Sequence, residues 1–139
     1  MDLYFACSLT GGRQDEEAYG VIVTHLQSAG HEIPTAHLAD PDVMELEKVT
    51  AAEEIYIRDI NWINECKALV AEVSTPSHGV GFEIAYALGL GKPVLCCYRE
   101  GVPVSKMILG NDSLNLAVRS YQNDDELREL LDQFLADVP

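Results

Sequence analysis

Residues 68–73 read ALVAEV, an apolar run without the apolar–polar alternation of a strand that has one face in water. Such a run is buried on both faces, which is the environment of a parallel strand covered by helices above and below. That requirement organises the rest of the chain, because parallel strands must be joined by long crossovers, usually helical. LYFACS (3–8), HEIPTA (31–36), PVLCCY (93–98) and LNLAVRSY (114–121) supply further strand-like segments. Helical periodicity spans about 15–29, stopped by Gly30, then about 51–66, then the segment opened by SHGVGFE (77–83), and finally 124–136. The polar stretch around Asp40-Pro41-Asp42 and the segment 99–112 carry neither period.

The resulting order, β-α-β-α-β-α-β-loop-β-α, predicts one α/β domain over residues 1–139. Its architecture is a doubly wound, Rossmann- or flavodoxin-like sheet of five parallel strands. In such sheets ligands bind beyond the carboxyl ends of the strands, where the winding direction reverses. Three loops are selected by that rule: SLTGGR (8–13), STPSHGVGFE (74–83) and the irregular segment after 98.

One residue in these loops is out of keeping with its surroundings. GVGFEIAYALGLG (79–91) is a helix with almost no polar face, and Glu83 is its only ionisable group besides the Tyr86 phenol. A helix of this kind is expected to be largely buried, with Glu83 on a stripe shared by Val80, Ala87 and Leu90. Burying an ionised carboxylate costs several kcal/mol unless it is paired, hydrogen-bonded or left at a cleft edge. Two readings fit: a first-turn anion stabilised by the helix dipole, or a functional carboxylate. Asp59 repeats the oddity, sharing a helix face with Ile55, Trp62 and Ile63, although pairing with Arg58 or Lys67 would also explain it.

Charge narrows the partners. Nine Lys and Arg against 23 Asp and Glu give a formal charge of −14, which excludes a nucleic-acid polymer or an anionic membrane surface as the natural partner. A single phosphate remains compatible, held by backbone N–H groups at a helix N-terminus. Gly11 and Gly12 in SLTGGR would expose such groups, but the spacing matches neither a dinucleotide fingerprint nor a Walker loop. The four histidines are scattered between a helix, the flanks of a short strand and one loop, so no metal site is expected. Cys7, Cys66, Cys96 and Cys97 form no CxxC pair and read as small core residues of a reducing compartment. With no basic leader and no stretch of about 20 apolar residues, the expected location is the cytoplasm.

LYFACSLTGGR, RDINWI and AEVSTPSHGVGFEIAYA together closely resemble the nucleoside 2-deoxyribosyltransferase superfamily, specifically its 2'-deoxynucleoside 5'-monophosphate N-glycosidase branch. The resemblance covers almost the whole chain and is most specific in the strand-loop-helix unit ending in Glu83. It implies that Glu83 is the nucleophile at the anomeric carbon. Asp59 would be a second active-site carboxylate, and Tyr4 would line the sugar pocket and hinder a 2'-hydroxyl. Ser8, Ser77 and the Gly79 to Gly81 backbone would meet the polar edge of a nucleotide substrate. Ser105 resembles a serine inserted from a neighbouring subunit, which implies at least a homodimer. No cofactor is implied.

Two positions bear on the substrate. Transferases of the superfamily usually carry an aspartate where this chain has Ser77, so the resemblance favours a phosphate over a free 5'-hydroxyl. The N-glycosidases tend to carry an arginine where this chain has Thr10, and Arg13 or the helix N-terminus would have to compensate. The resemblance thus implies hydrolysis of deoxynucleoside monophosphates through a glycosyl ester on Glu83. Transfer to a second base, hydrolysis of a ribonucleotide such as CMP, and a nucleotide-binding module without turnover are the alternatives.

Overall fold

The computed structural model describes residues 1–139. The elements follow in the order β1 (Leu3–Ala6), α1 (Glu16–Ser28), a 3-10 turn (Ala36–Ala39), α2 (Val43–Val49), α3 (Ala52–Glu65), β2 (Ala68–Glu72), α4 (His78–Gly89), β3 (Val94–Arg99), α5 (Lys106–Leu109), β4 (Leu116–Tyr121) and α6 (Asp124–Ala136). The strands form one parallel sheet in the order β1-β2-β3-β4, in a register that aligns Phe5, Val70, Leu95 and Ala117 across it. All five residues of β2 are buried, as the unalternating ALVAEV run requires.

Alternate strand residues enter two apolar layers. Leu3, Phe5, Val70 and Leu95 pack with Tyr19, Ile22 and Leu26 of α1 and with Leu127 and Leu131 of α6. Tyr4, Ala6, Leu69 and Ala71 pack on the other side with Ile63 of α3 and with Val80, Ile84 and Ala87 of α4. Helices therefore cover both faces. No helix is long and apolar enough to cross a membrane.

The sheet has four strands rather than the expected five. Residues 31–36 contribute a single parallel bridge, Asp2 with Glu32, at the outer edge of β1. The pairing stops there because Pro34 has no N–H to donate, and the next free donor of β1, Phe5 N–H, goes instead to Thr35 Oγ1 at 2.9 Å. Segments that carried no period also fold: Asp40-Pro41-Asp42 leads into α2, and 99–112 contains α5.

Helix α4 is less buried than its composition suggests. Val80, Ile84 and Ala87 face the sheet, but Phe82 and Leu90 are 53% and 47% exposed. It ends on Gly91, whose φ of +75° lets its N–H reach Leu88 C=O while Lys92 N–H reaches Ala87 C=O, closing the last turn before β3.

From β1 the chain runs to the Glu32 bridge on one side and then back through α3 to β2 on the other. The loops after β1 and β2 diverge over that reversal, leaving a crevice between them.

Candidate active site

The two loops are locked together at one point. A Cβ on Gly11 would lie 2.2 Å from Pro76 C=O, so only glycine allows the backbones of 8–13 and 74–77 to touch. Beyond this contact Ser77 Oγ accepts the Val80 N–H at 3.3 Å and caps α4. The helix starts at His78, which places Glu83 past the first turn, where the dipole has largely faded. The dipole reading of Glu83 is therefore insufficient.

Glu83 Oε1 lies over Gly79, 3.7 Å from where a Cβ would stand. Its Oε2 is buried without a hydrogen-bond partner, and so is the hydroxyl of Tyr4, which rises from β1 beneath it. Burial raises Glu83 to about 7; the nearby Tyr4 hydroxyl pulls it down, and the Asp59 charge pushes it up. Although the phenol is near enough for that influence, the two groups do not meet hydrogen-bond geometry. Burial, then the Glu83 and Asp59 charges, drive the Tyr4 phenol well above its usual range, so it stays a neutral donor.

Glu83 borders a cavity of about 390 Å³ together with Thr10 from the first loop, Met44 and Glu47 from α2, Asp59 from α3, the cap residue Ser77 and Gly79 of α4. Tyr4, expected to line it, is fully buried beneath Glu83 and is not on its surface. Glu83, Asp59 and Gly79 also border a groove of about 370 Å³ between α3 and α4, with Tyr56 and Phe82 at its rim. Asp59 is both things the sequence allowed: it faces the cavity, and its Oδ1 takes a 2.8 Å hydrogen bond from Arg58 Nε. The Arg58 guanidinium stacks 4.9 Å over Trp62 and reaches Glu47 at 3.4 Å. Cys7, on the same wall, is pushed up to about 12 by burial and remains a thiol.

Not every expected residue is at this cavity. The Arg13 guanidinium is engaged by Glu16 at 3.0 Å and by the Leu38 and Asp40 carbonyls at 2.8 and 3.1 Å, so it is not free to replace a phosphate partner missing at Thr10. Gly12, with φ of +123°, shapes the turn. Ser8 is fully buried with an unpartnered Oγ. Gly81 and Ser105 border a different cavity, of about 450 Å³, across the α4 N-terminus, with Ser77 and Val80 as the shared wall. No group of three or more His, Cys, Asp or Glu side chains is placed to hold a metal ion.

Comparison with known proteins then fixes the kinship. The Nucleoside 2-deoxyribosyltransferase profile matches residues 3–127. The chain belongs to this family. Among deoxyribosyltransferase-family relatives it is 41% identical over 133 residues to the "Putative 2'-deoxynucleoside 5'-phosphate N-hydrolase 1" of Methanosarcina mazei, covering 96% of this chain and 83% of that one. To the "5-hydroxymethyl-dUMP N-hydrolase" of Rattus norvegicus it is 37% identical over 137 residues, 95% and 83% of the two chains. The CMP N-glycosidase of Clostridium botulinum shares the fold, with a TM-score of 0.70 at 19% identity over 95% of this chain and 99% of that one.

The cavity includes residues that sequence reasoning missed. Glu47 and Met44 were invisible because α2 is only Val43–Val49 and its apolar residues show no period long enough to read. Outside the cavity, Glu72, buried at the end of β2, carried the same signal as Glu83, a carboxylate within an apolar element.

Proposed function

We propose that the protein hydrolyses the N-glycosidic bond of 2'-deoxynucleoside 5'-monophosphates, releasing the free base and 2-deoxyribose 5-phosphate. The observation that carries this reading is Glu83: a carboxylate with one oxygen buried and unpartnered, beside the Tyr4 hydroxyl, at the edge of a cavity shared with Asp59. The N-hydrolase names of relatives at about 40% identity support the substrate class.

In the first step Glu83 attacks the anomeric carbon as the bond to the base breaks, through an oxocarbenium-like transition state, and the base departs with the bonding electrons. Asp59 assists that departure or orients Glu83. Water then attacks the anomeric carbon of the glycosyl ester and restores the Glu83 carboxylate, and the proton it gives up balances the one taken up by the departed base. Tyr4, packed beneath Glu83, hinders a 2'-hydroxyl from below. Ser77 and the start of α4, His78–Gly89, receive the 5'-phosphate, with Thr10 and the Gly79 backbone at the polar edge of the substrate.

The active unit is a homodimer to which Ser105 contributes in trans. Supporting this, Ser105 does not border its own chain's Glu83 cavity. Two exposed aromatic side chains, Tyr56 of α3 and Phe82 of α4, also stand against one another, with Phe82 stacked on the half-buried Tyr86.

Incubation with a panel of ribo- and deoxyribonucleosides and their monophosphates, assayed for free base, tests the function. Base release from deoxynucleoside monophosphates is expected; transfer of the sugar to an added base from nucleosides alone would assign a transferase instead.

A further inference from the structure

Glu72 is a second buried carboxylate, and it lies on the far face of the sheet from the reaction. The pleat sends Leu69 and Ala71 toward Tyr4, and Ala68 and Val70 toward α1 and α6. Glu72 follows the second set and meets Tyr121 of β4, itself part of that layer. It cannot touch a substrate beside Glu83.

Three donors converge on it. Ser74 N–H gives a 2.5 Å hydrogen bond to Oε1, Ser74 Oγ–H a 3.0 Å bond to Oε2, and the Tyr121 hydroxyl a short bond to Oε2. Ser74 Oγ in turn accepts the Arg99 N–H at 2.9 Å. The next residue is held from the other side, since Thr75 Oγ1 donates to Asp15 at 2.8 Å and Asp15 is paired with Arg99 Nε at 2.6 Å. Pro76 then meets Gly11, and Ser77 caps α4. Every residue from 74 to 77 is thus tied down, and the ties to Ser74 begin at Glu72.

An apolar side chain would fill this place without the desolvation penalty of a carboxylate. What an apolar residue cannot do is accept three donors at once, and a buried N–H or hydroxyl left unpaired is itself costly. We propose that Glu72 is a positioning residue for substrate recognition: it holds the 74–77 loop so that Ser77 and the α4 N-terminus are preset for the 5'-phosphate. This rests on the function proposed above.

The test compares Glu72→Ala, Glu72→Gln and Tyr121→Phe in the full chain. KM and kcat are measured for deoxynucleoside monophosphates and nucleosides, together with amide hydrogen exchange at Ser74, Thr75 and Ser77. For Glu72→Ala the expected result is a rise of about tenfold in monophosphate KM that outweighs any fall in kcat, with faster exchange at these amides. Gln, which can accept from Ser74 N–H and donate to the hydroxyls, restores most of the loss. Tyr121→Phe shifts both readouts the same way by less, and decides the matter if Glu72→Ala does not fold. Equal losses on all substrates, or unchanged monophosphate KM and exchange, would overturn the proposal. If the wild-type protein does not prefer monophosphates, the functional reading fails instead, and exchange in the variants still decides whether Glu72 positions the loop.

Discussion

The Tyr4 hydroxyl and the Glu83 Oε2 are buried beside one another, one on β1 and one on α4, and neither has a hydrogen-bond partner within the protein. Groups left in this state are costly to the fold. Of the two, Glu83 stands at a cavity edge, where a ligand can reach it.

Glu83 is the first to test. Glu83→Gln should fold normally and lose base release by at least about 10³-fold. Turnover near the wild-type rate would remove Glu83 as nucleophile.

The same carboxyl sets a pH dependence in stability. Its folded value is raised to about 7 from an ordinary 4.5, so the folded state binds the proton more tightly than the unfolded state. Stability therefore falls as pH rises from about 4.5 through 7, then levels off. Above that pH Glu83→Gln should be more stable than wild type by up to about 3 kcal/mol, and the two should converge below pH 4.5. Denaturant unfolding at pH 4 and pH 8 measures the difference.

Activity should show the complementary trend. A nucleophile must be ionised, so kcat/KM should climb with pH along an acid limb centred near 7. The Tyr4 hydroxyl pulls Glu83 down, hence Tyr4→Phe should move that limb to higher pH. The same variant should relax discrimination against ribonucleotides by making room at the 2' position. An unmoved limb together with unchanged selectivity would count against both roles.

At the 5' end the contrast is one of charge. Ser77→Asp would set a carboxylate against a phosphate in a desolvated site, and should lower the preference for monophosphates over nucleosides about tenfold or more. Thr10→Arg should raise that preference, because Arg13 is already engaged by Glu16, Leu38 and Asp40. The ratio of kcat/KM values for dNMP and nucleoside reports each change.

Assembly can be tested by complementation. Sedimentation should show a dimer at concentrations where the enzyme is active. Mixing Ser105→Ala with Glu83→Ala chains should regain part of the wild-type rate, since a mixed dimer would hold one intact site. A fully active monomer would refute the contribution in trans.

Much of this was written locally along the chain. An unalternating run at 68–73 demands burial on both faces, and Glu83 betrays itself because a charge in an apolar helix has a cost visible in composition alone. Helices 51–66 and 124–136 were legible to within a residue at either end, since periodicity over more than three turns is a local property. Tertiary structure decided whatever depended on which partner a polar group finds. Residues 31–36 look like a strand, yet Thr35 Oγ1 takes the Phe5 N–H and Pro34 ends the ladder after one bridge. Arg13 looks free for a ligand until carbonyls 25 and 27 residues away accept hydrogen bonds from its N–H groups. Glu72 is an oddity in the sequence, but its role depends on Tyr121, which only the folding of β4 against β3 brings within reach. Apolar burial is non-directional and summed over many residues, so pattern suffices to foresee it. A hydrogen bond needs a particular donor within about 3 Å of a particular acceptor, and residues far apart in the chain meet at that distance only in the folded state.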